Sequence, residues 1–292
     1  MIVPVRRLAV LGMLAAALTA CGTAQAPPAS RPAARPAPAR HTVAPAQPQS
    51  QPQSQPPSLA PGPAGLTPVF SHGPRTPDRT VALTFDADMT ADQGARAARG
   101  EHFDNPALIA TLRALKVPAT VFMTGRWAEQ YPVQARGIGR DPLFEVANHS
   151  YSHYAFTGDC YGLPTVSPDR MLADVERAYT AFRKAGVEHP MPYFRFPGGC
   201  HDKRALEALS PAGVTAVQWD VISGDAFATD ADAVARQVLD GVRPGSVVVM
   251  HCTRSAAPAT ERAVRTIVPE LRRRGFRFVK VSELIGAATA RR

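Results

Sequence analysis

From Thr76 onward, short apolar runs alternate with stretches whose apolar residues recur every three or four positions. This is the pattern of strands interleaved with amphipathic helices. Thr80-Val81-Ala82-Leu83-Thr84-Phe85 predicts a buried strand, and Asn105-Pro106 an N-cap with proline in the first helical position, opening a helix through Leu108, Leu112 and Leu115. Ala119–Met123 predicts the next strand, followed by a helix around Trp127, and Phe144-Glu145-Val146-Ala147 a third strand. Ser167-Pro168 is expected to cap a helix with Leu172, Val175, Tyr179 and Phe182 on one face. Strands are expected again at Tyr193–Phe196 and Thr215–Trp219, with a helix near Leu206 between them. Thr229 is expected to cap a helix carrying Val234 and Val238. Ser246–Met250 is almost wholly apolar, as a strand covered on both faces must be. A helix with Val264, Ile267 and Leu271 then leads to a last strand at Phe276–Val279. About seven such β/α units imply a parallel sheet, closed or nearly closed into a barrel.

The first 75 residues break this pattern. Arg6 and Arg7 precede an apolar stretch, Leu8–Ala17, that is short for a membrane span and right for a secretory signal. It ends in Leu18-Thr19-Ala20-Cys21, which resembles a bacterial lipobox, so residues 1–20 are read as a lipoprotein signal peptide and Cys21 as the lipidated residue. A plain secretory signal with an incidental cysteine is the alternative, and both place the mature protein outside the cytoplasm. Gly22–Gly65 holds 12 of the 29 prolines and almost no large apolar side chain. Such a segment cannot bury enough surface to offset its ordering entropy. Residues 21–75 are therefore read as lipid anchor plus extended linker, with a reach of roughly 130 Å at about 3.1 Å per residue, and residues 76–292 as the folded domain.

The linker also explains much of the charge. Residues 1–65 contain five arginines and no acid, so the net charge of +9 falls to +4 for the remainder. That is an ordinary solvated surface, and no nucleic-acid partner is expected.

The candidate chemistry clusters at the C-terminal ends of the predicted strands, where a β/α barrel places reactive groups. The clusters are Asp86-Ala87-Asp88, His149 with His153, Arg195-Phe196-Pro197-Gly198-Gly199, Asp220 with Asp225, and His251. Each has an ordinary explanation alone: paired aspartates form turns, an arginine pairs with a nearby acid, and a histidine after an apolar strand is usually structural. If a helix begins at Asn148, His149 and His153 share one face and suit a single metal ion. Asp220 is read as a surface turn acid outside the site. His102 and His201 are read as exposed loop residues, and Tyr151 and Tyr154 as rings for core or rim packing or for stacking on a ligand.

Taken together, these clusters resemble the polysaccharide deacetylases of carbohydrate esterase family 4, the nodulation-type chitooligosaccharide deacetylase homology domain. Thr84-Phe85-Asp86-Ala87-Asp88 stands for the first motif, His149 to His153 for the second and Arg195-Phe196-Pro197 for the third; Asp225 fits the fourth and Val249-Met250-His251 the fifth. Ala119-Thr120-Val121-Phe122 and Gly125-Arg126-Trp127-Ala128-Glu129 add to the likeness, which spans Arg79 to the last strand. There are departures. The commonest first motif has adjacent aspartates followed by glycine, whereas here alanine separates them; Gly198 stands where a tyrosine is usual and Ala226 where a tryptophan is usual. The Met89–Asp104 segment is longer than usual and is expected to form a flap or rim over the groove.

The resemblance implies an α/β fold, a (β/α)7-type distorted TIM-like barrel, and a metal-dependent hydrolase acting on carbon–nitrogen bonds other than peptide bonds. Asp88, His149 and His153 would hold a divalent ion, zinc by preference, with cobalt, nickel or iron suited to the same ligands. Asp86 would act as base and His251 as acid, with the backbone N–H of Gly198 in the oxyanion site. Arg195 would hold Asp86 ionised and oriented, and Asp225 would do the same for protonated His251. The expected substrate is acetylated cell-wall glycan, either peptidoglycan or chitin-like oligomers, met by a monomer tethered on the outer face of the membrane. An O-acetyl esterase on xylan and a catalytically silent wall-binding lipoprotein are the alternatives. Cys160 and Cys200 follow the second and third motifs and fall on loops at the same mouth, so they are expected to pair. Cys252 is then a buried thiol, with a Cys200–Cys252 bridge as the alternative.

Overall fold

In the computed structural model, which describes residues 55–291, the alternation along the first long strand sets the architecture. The signal segment, Cys21 and the linker as far as residue 54 lie outside the described residues. The strands are β1 (Val69–Phe70), β2 (Thr80–Ala87), β3 (Ala119–Met123), β4 (Phe144–Asn148), β5 (Tyr193–Phe194), β6 (Thr215–Val217), β7 (Val221–Ile222), β8 (Ser246–His251) and β9 (Arg277–Phe278). Between them run α1 (Gly94–Ala98), α2 (Pro106–Ala114), α3 (Gly125–Gln130), α4 (Pro132–Gly139), α5 (Met171–Ala185), α6 (Lys203–Leu209), α7 (Ala231–Gly241), α8 (Thr260–Arg273) and α9 (Val281–Thr289). The sheet order is β1-β6-β5-β4-β3-β2-β8-β7, with β9 beside β2, and every ladder is parallel. The sheet curls into a distorted half-barrel with surrounding helices, and an antiparallel bridge from His72 to Ser246 reaches across from the β1 side to β8.

Successive residues of a strand point to opposite faces. Along β2, Val81, Leu83, Phe85 and Ala87 therefore pack outward against the helices. Ala82 instead joins Phe122, Ala147, Tyr193, Val217 and Val247 in the barrel interior. Asp86 is in phase with Ala82, so the strand that builds the core also carries that carboxylate into the barrel.

The opening at the N-terminal ends of the strands is closed by α9, whose Val281, Leu284 and Ile285 join the interior cluster. Its entry is capped from inside the sheet: Val281 N–H donates to Thr120 Oγ1 at 3.0 Å and Ser282 N–H to Glu145 Oε1 at 3.1 Å. Thr120 also donates to Glu145 at 2.7 Å, and burial holds the Glu145 carboxyl above the usual carboxylate range.

Several element boundaries differ from the sequence reading. Packing begins before residue 76: Tyr193 Oη donates to Pro57 O, Leu59 packs on the interior cluster, and β1 pairs with β6. Phe70 is buried and Leu59 half-buried there, so this stretch with few apolar residues finds its packing on the sheet. Asp230 rather than Thr229 caps α7, because its carboxylate reaches the N–H groups of both Asp232 and Ala233. Ser167-Pro168 opens a short 3-10 turn before α5 starts at Met171, and the strand expected through Trp219 stops at Val217.

Candidate active site

The five polar clusters meet at the C-terminal mouth of the sheet, as two carboxylate-centred groups joined by β2 and β8. Asp86 closes the interior side of β2 and Arg195 follows β5. Arg195 is wholly buried; its Nη1 donates to Asp86 Oδ1 at 2.7 Å and its Nε to Val217 O at 3.2 Å. The guanidinium carbon lies 3.9 Å from the centre of the Phe122 ring and 5.4 Å from that of Trp219. Such stacking suits the planar, weakly hydrated arginine head.

His149 follows β4 and is almost wholly buried. Its Nδ1 lies 2.9 Å from Arg195 O, a carbonyl that can only accept, so the proton sits on Nδ1. Burial lowers the imidazole pKa and keeps the ring neutral, leaving a lone pair on Nε2. That nitrogen faces Asp86 Oδ2 at 3.7 Å, beyond hydrogen-bond reach.

His153 arrives beside it by a route that corrects the helical expectation. Residues 149–153 form a tight turn, with Ser150 and His153 at φ 68° and 57°. Asn148 Oδ1 accepts from Ser150 N–H, and Ser150 Oγ from His153 N–H. Asp174 on α5 accepts from the N–H groups of Tyr151 and Ser152. The two rings end 5.0 Å apart. Burial lowers the His153 pKa to about 4, so this imidazole is neutral as well, and its Nε2 faces Asp88 Oδ2 at 3.7 Å.

Asp88 accepts a short hydrogen bond from Thr253 Oγ1. Burial pushes its carboxyl up, but His153, His251 and the threonine hydroxyl more than offset this and hold it below the usual range. Two neutral imidazole nitrogens and a carboxylate form a donor set that fits a divalent cation such as zinc or cobalt. The His149 Nε2 lone pair also faces a carboxylate oxygen rather than a donor, and His153 Nε2 lies at the same 3.7 Å from Asp88 Oδ2. No three such groups converge on one point among the described residues, so the fit rests on donor chemistry and these facing atoms rather than on a preformed cage.

The second group centres on His251, the last residue of β8. Its Nδ1 is 2.8 Å from Asp225 Oδ1, and its backbone N–H donates to Asp225 Oδ2 at 2.7 Å. Asp225 also accepts from Ser223 Oγ and Thr260 Oγ1. Burial opposes the charge on both partners, but their mutual attraction prevails: Asp225 lies below the usual carboxylate range and His251 rises to about 10. A quarter of the His251 side chain is exposed, so the protonated ring is held at one end and open to solvent at the other.

Asp88 and His153 line a cavity of about 230 Å³ with Gln93 and Phe103, which places the 89–104 segment on its rim. A larger cavity, about 540 Å³, lies along α5 between Tyr151 and Arg177 and contains none of the catalytic candidates. Gly198 adopts φ 65° beneath the 160–163 loop, tied down by a disulfide between Cys160 and Cys200. Cys252 is a buried free thiol whose pKa burial raises to about 12.

The remaining candidates fall outside these two groups. Asp220 ties Arg75, Ser246 and the Val247 N–H together. His102 pairs with Asp104, and His201 stacks on Phe196 with its ring planes 14° apart. Tyr151 is buried, its hydroxyl donating to Glu129 and accepting from Arg177, while Tyr154 lines the large cavity. Four positioning residues escaped the sequence reading: Asp174, Ser223, Thr253 and Thr260. Only Thr253 left a signal, lying two positions beyond His251 and so in phase with it.

The polysaccharide deacetylase family model matches residues 73–217, and the chain belongs to that family, carbohydrate esterase family 4. The match takes in Asp86, Asp88, both histidines of the turn and Arg195, but stops short of Asp225 and His251. In sequence the chain is 28% identical over 225 residues to a chitooligosaccharide deacetylase of Bradyrhizobium sp., covering 73% of this chain and 94% of the relative. In structure it is similar to a peptidoglycan N-acetylglucosamine deacetylase solved with 4-naphthalen-1-yl-N-oxidanyl-benzamide: TM-score 0.62, 25% identity, with 75% of this chain and 92% of the other covered. It shares its fold with a family 4 acetyl xylan esterase from Clostridium thermocellum solved with a cobalt ion: TM-score 0.57, 23% identity, with 71% and 90% covered.

Proposed function

We propose that this enzyme hydrolyses N-acetyl groups on a cell-wall polysaccharide, adding water across the amide bond to release acetate and leave a free amine on the sugar. The observation that carries this reading is the placing of two partnered groups at one mouth: Asp86 clamped by Arg195 and, on the neighbouring strand, His251 clamped by Asp225. The first can take a proton and the second can give one.

Asp86 Oδ2, left free by the arginine, accepts the proton of the attacking water. The backbone N–H of Gly198 donates to the oxyanion that develops on the acetyl carbonyl. His251 delivers its proton to the departing amine nitrogen, and Asp225 stabilises the charged ring until that moment. A divalent ion held by Asp88, His149 and His153 would polarise the carbonyl and acidify water; the donor set supports zinc, with cobalt, nickel or iron suited to the same atoms. The named relatives support amide deacetylation of chitooligosaccharide or peptidoglycan. The esterase that shares the fold keeps O-acetyl xylan as the second reading. Acetate release from peptidoglycan fragments, chitin oligomers and acetylated xylan, measured side by side, decides between them. Release from none of the three would leave a silent wall-binding protein.

The acid role fixes a sign for the pH dependence. His251 works protonated, so turnover should fall as pH rises through its pKa, which Asp225 holds high. In Asp225→Asn that support is gone, and the alkaline limb of the kcat profile should move down by roughly one to three pH units. An unmoved limb would remove His251 from the acid role.

The reading places the enzyme outside the cytoplasm as a monomer, anchored to the membrane's outer face through lipid on Cys21 with residues 22–54 as the tether. The lipobox-like sequence ahead of Cys21 supports this. Cys21→Ala should lose fatty-acid labelling and membrane retention together; equal labelling of both forms counts against the anchor.

A further inference from the structure

Tyr161 and Phe227 are the two most exposed large apolar residues described, at 87% and 83%. Both stand at the catalytic mouth. Phe227 follows Asp225 by two positions and lines the same cavity as Asp88 and His153. Tyr161 follows the bridged Cys160, on a loop pressed so closely onto Gly198 that a Cβ there would lie 2.6 Å from Cys160 Sγ, 3.3 Å from the Tyr161 ring and 3.4 Å from Leu163. Leu163 in turn lines the catalytic cavity. The absence of a side chain at 198 thus lets a tethered loop bring an aromatic ring against the backbone proposed to stabilise the oxyanion.

Neither ring is placed cheaply. Both residues sit in the left-handed region, Tyr161 at φ 52° and Phe227 at φ 61°, which is unfavourable for bulky side chains. The Phe227 N–H is pinned to Ala256 O at 2.6 Å and the tyrosine loop by its disulfide. Strained, pinned backbone that holds an aromatic ring in water at the edge of a reactive cavity points to a ligand that covers the ring. In the sheet order, Tyr161 rises beyond β4 and Phe227 beyond β7, so the strands that carry Asp86 and His251 lie between them.

We propose that Tyr161 and Phe227 are stacking platforms for the sugar rings that neighbour the acetylated residue, so that the enzyme grips a chain of pyranoses rather than one sugar. A pyranose ring presents a face of weakly positive C–H groups that matches the negative face of an aromatic ring. Platforms on two sectors of the rim fit a polymer crossing the mouth. This rests on the polysaccharide reading above, and the experiment separates the two.

Calorimetry with the full-length Asp86→Asn protein, using an N-acetylglucosamine pentasaccharide and a peptidoglycan fragment, tests the platforms without turnover. Tyr161→Leu and Phe227→Leu should each weaken pentasaccharide binding about 10-fold, and both together about 100-fold, since they sit on separate loops. Tyr161→Phe and Phe227→Tyr, which keep a ring, should stay within about twofold of the parent. The loss should shrink as the oligosaccharide is shortened to two sugars. Leucine variants that bind the pentasaccharide as the parent does would overturn the proposal, as would a parent that binds neither glycan. Acetate release by the wild-type enzyme reports separately on the catalytic reading: tight, ring-dependent binding without release would leave the platforms standing and remove the activity.

Discussion

Asp86→Asn is expected to lose about 10³-fold in kcat while keeping its metal affinity, and Asp88→Asn to show the opposite balance. Asp86 lies near the end of β2 and Asp88 just beyond it, two positions apart, yet their partners differ. Arg195 donates to Asp86 Oδ1, so the carboxylate is oriented by a fixed cation and its other oxygen stays free to take a proton. Asp88 is held by the Thr253 hydroxyl and faces His153, a neutral imidazole with a lone pair to share. Removing the Asp88 charge should weaken metal binding by roughly 10-fold or more, with turnover partly restored by excess ion. Metal titration beside acetate release checks both variants. The reverse pattern would mean that the two roles are exchanged.

Arg195→Met should be the most destabilising single change at the site. The side chain is wholly buried, its Nη1 is the cation against Asp86, and its face rests on Phe122. Methionine keeps much of the packing but strands a carboxylate inside the barrel. Breaking a buried pair in this way costs about 3–5 kcal/mol. For a domain of this size that lowers Tm by roughly 6–20 °C. Asp86→Asn placed on top should return a large part of the loss, because the stranded charge is gone, while turnover stays absent. Thermal unfolding of the single and double variants checks this; a double variant as unstable as Arg195→Met alone would mean that packing, not charge, sets the cost.

How far the site could be read in advance differed from residue to residue. Asp86 was legible from its strand-end position. Arg195 and His251 were legible for the same reason, each following an apolar run by one residue. His149 and His153 were singled out by their spacing, but the conformation inferred from it was wrong. Helical spacing is one way to bring residues four apart together; a turn with two left-handed residues, pinned by Asn148, Ser150 and Asp174, is another. One of these anchors, Asp174, comes from α5, more than 20 residues away, so no local signal carried it.

The sequence by itself determined the alternation of strand and helix and the order of polar clusters along the mouth of the sheet. These are properties of period and spacing, and each is set by neighbours in the chain. Only the tertiary structure decided which hydroxyl meets which carboxylate. Thr253 against Asp88 and Thr260 against Asp225 join residues 165 and 35 positions apart. It also decided that the sheet curls without a continuous closing ladder, and that Gly198 lies under a disulfide-tied loop. Pairings of this kind depend on strand order and curvature, which arise from the packing of the whole sheet and leave no periodic trace in the chain.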